Sequence, residues 1–369
     1  LAIPLWLCLY ASVISLPTDL PPVVWHVHEM IYGFAAATVA GFMLTAIPNW
    51  TGRMPLQGRP LVLLVALWSA GRLGVLLSGA IGAPAAAVLD LSFPAVFLAA
   101  MAREILRGRN WRNLPMLGAL TSLLVGNLLV HGDRLGFADT ADLGNRLGLA
   151  TLLFLIALMG GRIIPSFTRN WLAKMRPGSA LPSAGGRLDL AVLAITGLAL
   201  AGWIIFPHSV IAAWVEVGAG AGLIVRLARW RGLAVLGDPL LAILHVGYAW
   251  LAGGFILLGL DRIHEALPPG TAVHALTAGA IGTMTLAVMT RASLSHTGRP
   301  LVAGRGTVAI YLFITAAAIL RVLAPLAGGY VDWVLSAGGL AWTAAFGLFA
   351  VLYGGLLARP RIRREKPPA

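Results

Sequence analysis

The sequence predicts an all-α polytopic membrane protein of about twelve transmembrane helices, and three observations carry that prediction. Of 369 residues, 59% are hydrophobic and only 11% are charged, against about 25% charged in a soluble domain. Apolar runs of roughly 18 to 25 residues, the length a helix needs to cross about 30 Å of hydrocarbon, recur from one end of the chain to the other. These runs are continuously apolar rather than alternating, which excludes a transmembrane β-barrel.

Spans are expected near residues 1 to 16, 23 to 47, 61 to 78, 85 to 102, 114 to 130, 143 to 164, 188 to 206, 210 to 225, 239 to 260, 271 to 294, 306 to 325 and 333 to 357. The first has no basic leading region and no A-x-A site after it, so it reads as a retained helix and not a removable signal peptide. The Pro-Gly-Ser run 177 to 186 reads as a linker, too short to be a domain. The single cysteine, Cys8, offers neither a disulfide nor a thiolate cluster.

The net charge of +13 does not point to nucleic acid, because the basic residues are spread through short loops instead of gathered on one face. Even-numbered loops and the tail hold twenty of the 27 Lys and Arg, whereas the odd-numbered loops hold only Arg134 and Arg262. The positive-inside rule then places both termini in the cytoplasm. The basic tail, 358 to 369, is an orientation anchor near anionic lipid.

An offset of 246 superposes His28 on His274, Gly33 on Gly279, Met43 on Met289 and Thr51-Gly52-Arg53 on Thr297-Gly298-Arg299. At an offset of 117, Pro48 falls on Pro165, and Asn145 takes the place of His28. Spans two, six and ten are thus candidate copies. They divide a single transmembrane domain into three four-helix units near 1 to 113, 114 to 235 and 236 to 357, with sites expected between units.

An ionisable group at bilayer depth costs roughly 2.5 to 3.5 kcal/mol on insertion scales and is a functional candidate by default. Among Glu29, Asp90, Asp189, Glu216, Arg72, Arg146, Arg162, Arg291 and Arg321, most lie close enough to a span end to snorkel, and Glu29 is the one singled out. It belongs to Trp25-His26-Val27-His28-Glu29, which follows Pro21-Pro22 at a helix start. Residues two apart on a helix project about 200° from each other, so His26 and His28 serve centres on opposite sides. Glu29 shares the face of His26, suited to proton relay or to a metal site.

His131 and His274 lie at the same outer depth as His26 and His28, while His245 and His296 lie near the inner face. His274 and His296 are separated by about 33 Å of helix and cannot share one ion. Imidazole suits haem iron and copper equally. The repeat makes His28 and His274 the natural axial pair for a haem. His26 and His131 then serve a second metal, copper or non-haem iron, and His245 with His296 an inner site. Arg53, Arg162, Arg169, Arg291 and Arg299 suit haem propionates. His208 and His264 read as loop residues, and Met43 and Met289 as core. Neither a phosphate loop, a serine-nucleophile elbow nor a Cys-x-x-Cys-His attachment occurs.

Three strings resemble the NnrS family, bacterial inner-membrane haem- and copper-containing proteins of the nitric oxide response. They are Trp25-His-Val-His-Glu-Met-Ile-Tyr-Gly-Phe continuing to Gly41-Phe-Met-Leu-Thr-Ala-Ile-Pro-Asn-Trp-Thr-Gly, then Gly161-Arg-Ile-Ile-Pro-Ser-Phe-Thr-Arg-Asn, and finally the stretch from His274 to His296-Thr-Gly-Arg. One departure is Ser295, at a position where glycine is expected. The resemblance implies a twelve-helix protein with b-type haem that protects against nitric oxide, with these histidines as ligands. On that basis the expected function is binding or reduction of nitric oxide, with His26 and Glu29 as catalytic residues and a quinol or redox protein as electron donor. The competing reading is a transporter or sensor of a metal ion or small solute that uses the same histidines.

Overall fold

The computed structural model describes residues 2–52, 54, 56–264 and 267–362, with backbone alone considered over 47–51. Arg53, one of the expected propionate partners, lies outside the described residues. The described chain is helical, without strands, and eleven of its helices are long and apolar enough to cross a membrane. A lipid bilayer is therefore its environment.

The helices follow the apolar runs. They are α1 (Ala2–Tyr10), α2 (Pro22–His28), α3 (Ala36–Thr51), α4 (Arg59–Leu76), α5 (Ser78–Ile81), α6 (Ala83–Arg107), α7 (Leu114–Arg134), α8 (Ala141–Met175), α9 (Arg187–Ile205), α10 (Val210–Ala228), α11 (Pro239–His264), α12 (Thr271–His274), α13 (Thr283–His296), α14 (Arg305–Leu323) and α15 (Val331–Leu357). Starts are set by local chemistry. Proline occupies the first turn of α2, α4, α6 and α7, where its missing N–H costs nothing. The Ser209 side chain caps α10 by accepting from the Ala212 amide.

Two elements depart from expectation. The first expected span is only the nine-residue α1, about 14 Å of helix and too short to cross hydrocarbon. Ser12 adopts a left-handed conformation at φ 55° and ends it, and a non-helical stretch leads to Pro21-Pro22. The sixth span instead runs on through Pro165 to Met175 as one 35-residue helix, because a proline removes only one ladder bond when neighbouring groups compensate.

Spans two and ten share a rarer feature. Each passes from a short α-helix into a π-helical segment: π1 (Glu29–Ala35) immediately after His28, and π2 (Ala275–Gly282) immediately after His274. Their starting points differ by the same 246 residues that align the two sequences. Single-turn π segments are uncommon and concentrate at functional sites.

Contacts divide the chain into two compact units, residues 1–152 and 153–369. In the first, α4 packs on α6 and α6 on α7, with α3 against α6. In the second, α11 is central, packing against α10, π2 and α13, while α14 pairs with α15.

Candidate functional site

The most heavily charged buried place in the first unit lies at one end of α2, α4, α6 and α7. His28, Asp90 and His131 are all buried and offer one ligand atom each, every pair within 4.8 Å. The Asp90 Oδ2 atom is the hub: it lies 2.9 Å from His131 Nε2 and 3.2 Å from His28 Nε2, and accepts from Asn127 Nδ2 at 2.8 Å. Asn127 in turn places its Oδ1 3.1 Å from His28 Nε2. The two imidazoles meet edge to face, ring centroids 5.4 Å apart.

The other Asp90 oxygen is held by Arg72, which forms an ion pair through Nη2. Arg72 Nη1 reaches Glu29 Oε1 at 2.6 Å, and that same oxygen is 3.7 Å from His28 Nδ1. One guanidinium thus ties together two buried carboxylates. Its passage is arranged by π1, where glycine at position 33 leaves room for the side chain. Trp68 Nε1 donates to the Gly33 carbonyl at 3.0 Å and fixes α4 against the π segment. Tyr32 lies beside His28 and donates to the Gly144 carbonyl at 2.6 Å.

Several nitrogens in this cluster have no hydrogen-bond partner although they are buried: Nδ1 of His28, Nδ1 of His131 and Nε of Arg72. It is the opposite ring nitrogens, Nε2 of both imidazoles, that converge on one carboxylate, a donor set suited to a first-row metal. With bonds of about 2.0 Å, ligand atoms in a tetrahedral site stand about 3.3 Å apart. The 2.9 and 3.2 Å separations around Asp90 are within a few tenths of that figure. The residues present fit a small metal ion.

One end of the cluster is fastened by a strap. The Ser78 hydroxyl donates to Asp19 at 2.5 Å and meets Thr18 Oγ1 at 3.0 Å. Arg134, one turn beyond His131 on α7, pairs with Asp19. Burial works to raise the Asp19 carboxyl pKa, but the hydrogen bonds from Ser78 and Arg134 and the Arg134 charge outweigh it and hold the group below its ordinary value of 3.8.

Of the expected site residues, the first unit brings His28, Glu29 and His131 together. His26, two residues from His28, faces elsewhere and stacks on Trp6 with centroids 4.5 Å apart. Within this unit His28 is partnered with His131, and Asp90 joins them. Sequence reasoning passed over Asp90 and Arg72 as snorkelling residues and did not consider Asn127. The missing signal was mutual position: Arg72 sits near the end of one span and Asp90 near the start of the next, so an antiparallel hairpin places acid opposite base, while Asn127 lies four residues before His131 on the same helix face.

In the second unit, His274 precedes π2 and its Nδ1 lies 2.6 Å from the Gly270 carbonyl. His245 is buried with Nδ1 3.0 Å from the Leu241 carbonyl. His296 is exposed at the end of α13, as are Arg162 and Arg169 on α8. Arg291 is half-buried with its guanidinium 4.2 Å over the Phe167 ring, and Arg299 is half-buried. This unit has its own buried ionic knot: Arg226 donates to Asp189 at 2.7 Å, to the Ala157 carbonyl at 2.8 Å and to the Tyr248 hydroxyl at 2.9 Å.

These features define an all-α polytopic membrane protein with a buried His–Asp–His cluster of metal-ligand type on its candidate membrane spans. The chain belongs to the NnrS family, whose model matches residues 1–361. A comparison with the curated proteins finds no match.

Proposed function

We propose that this chain is a haem-bearing protein of the bacterial inner membrane, with the basic tail cytoplasmic, that binds or reduces nitric oxide and so protects against nitrosative stress. Family membership supports the link to nitric oxide. The observation that carries the reading is the buried convergence of His28, His131 and Asp90, an arrangement expensive to keep in a bilayer without a bound cation to compensate it.

We assign His28, His131 and Asp90 to a second metal, copper or non-haem iron, because both Nε2 atoms turn to Asp90. His274 is kept for the haem, with Arg162, Arg169, Arg291 and Arg299 as partners for its propionates. When bound, such metals supply the redox centre for nitric oxide. The chain itself does the rest. Arg72 holds Asp90 from behind, Asn127 fixes the plane of the carboxylate, and Glu29, beside His28 Nδ1, orients that ring and is placed to deliver protons. His26, stacked on Trp6 next to this group, completes the outer polar end of the span. Reduction of two nitric oxide molecules to nitrous oxide and water consumes two electrons and two protons, the electrons coming from a quinol or a redox protein.

The deciding experiment measures haem, copper and iron in the purified protein together with nitric oxide consumption on the same sample. A haem Soret band, a second metal lost in His131→Ala, and nitric oxide binding or uptake are expected. A protein with neither haem nor bound metal would reject the proposal.

A further inference from the structure

We propose that the first unit's cluster, when it holds a divalent metal ion, takes up one small monoanion, and that Arg72 is the residue responsible. This rests on the metal reading above and adds a ligand class to it.

The argument begins with charge. Glu29 and Asp90 bring two negative charges and Arg72 one positive charge, all joined by ion pairs. His28 and His131 act as ligands in their neutral form. Arg134 and Asp19, next along the same end, pair with each other and add nothing. The cluster therefore carries one net negative charge where uncompensated charge is costly. A divalent ion does not cancel that charge but reverses it to one net positive, and a single monoanion then restores neutrality.

Two further observations agree. Three protein ligands leave the fourth position of a tetrahedral ion open, the arrangement of sites that accept an exogenous ligand. In addition, Arg72 uses both Nη groups on the carboxylates while its Nε–H is buried with no acceptor. A small anion is the acceptor that this donor lacks. The chemical class is a compact monoanion of the size of azide, nitrite or hydroxide. Without Arg72 the count changes: two carboxylates and a divalent ion are already neutral, and no anion is called for.

The test uses the purified full-length protein loaded with Cu2+, which nitrogen and oxygen sites hold most tightly among divalent first-row ions. Sodium azide is titrated and the copper hyperfine pattern is followed by electron paramagnetic resonance. Azide should shift the pattern in the wild type. In Arg72→Gln the azide affinity should fall by at least about tenfold, and Arg72→Lys, which keeps the charge but lacks the Nε–H, should fall between Arg72→Gln and wild type. Glu29→Gln, which makes the loaded site more positive, should tighten azide binding by about tenfold. These opposite shifts keep the test decisive even if one variant fails to fold. Copper that binds but ignores azide, or azide affinities equal in Arg72→Gln and Glu29→Gln, would overturn the anion inference alone. Copper binding unaffected by His131→Ala would instead overturn the metal site beneath it.

Discussion

A methyl group at Gly33 would lie 2.7 Å from Nη1 of Arg72 and 3.0 Å from Oε2 of Glu29. The glycine in π1 is therefore the gap through which α4 delivers a cation to two carboxylates.

Gly33→Ala should consequently be destabilising. Helix propensity alone favours alanine by up to about 1 kcal/mol, but forcing the guanidinium aside costs about 1–3 kcal/mol and loosens both ion pairs. Gly41→Ala is the matched control, since nothing lies within 4 Å of a methyl there. Thermal unfolding in detergent should show a lower midpoint for Gly33→Ala together with weaker metal retention. Gly41→Ala should match wild type or exceed it. Equal behaviour of the two variants would contradict the steric account.

Two substitutions at Asp90 separate folding from metal binding. Asp90→Asn keeps the shape and an acceptor for Arg72, so the protein should fold but lose its second metal. Asp90→Ala leaves the guanidinium with Glu29 alone and His131 Nε2 with no partner, and removal of one partner of a buried pair costs about 3–5 kcal/mol. Expression and detergent stability should thus fall in the order wild type, Asp90→Asn, Asp90→Ala. Metal content should be low in both variants.

Most of the fold was legible because hydrophobic run length is a direct physical requirement of the bilayer: the spans from α4 through α15 begin within a few residues of where the sequence places them. Only the ends governed by other forces were missed. The sixth span is expected to end at 164, yet α8 continues to Met175, and the opening apolar run is expected to span although Ser12 turns the chain. At the site, His26, His28, Glu29 and His131 stood out because each is polar in an apolar run. Asp90 and Arg72 looked like ordinary end-of-span charges, and nothing local to either reveals that they meet. Contact between helices is a tertiary property, and only the antiparallel packing of α4 on α6 makes it visible.

The Asp19 strap predicts a pH dependence. Its carboxyl is held below its ordinary value of 3.8 in the folded protein. The stabilisation it gives is therefore fully present at pH values above 3.8 and is lost as pH falls through the folded value. Asp19→Asn should lower the unfolding midpoint by a constant amount at neutral and mildly acidic pH. The gap should close on further acidification, when the wild-type carboxyl becomes protonated as well. A gap that widens toward low pH would show that the strap does not depend on the ionised carboxylate.

Gly161 stands to Arg226 in the second unit as Gly33 stands to Arg72 in the first. A methyl at 161 would overlap the Arg226 guanidinium, which is buried and commits donors to Asp189, the Ala157 carbonyl and Tyr248. Gly161→Ala should cost about 1–3 kcal/mol by overpacking. Arg226→Met should cost about 3–5 kcal/mol, because Asp189 would keep only Arg229 as an ionic partner. The double variant distinguishes this account from two unrelated defects. Once the guanidinium is gone the methyl has space, so the combined loss should be smaller than the sum of the single losses by about 1 kcal/mol or more. Chemical or thermal unfolding of the four proteins in one detergent measures that coupling directly, and strict additivity would mean that Gly161 is conserving something other than room for Arg226.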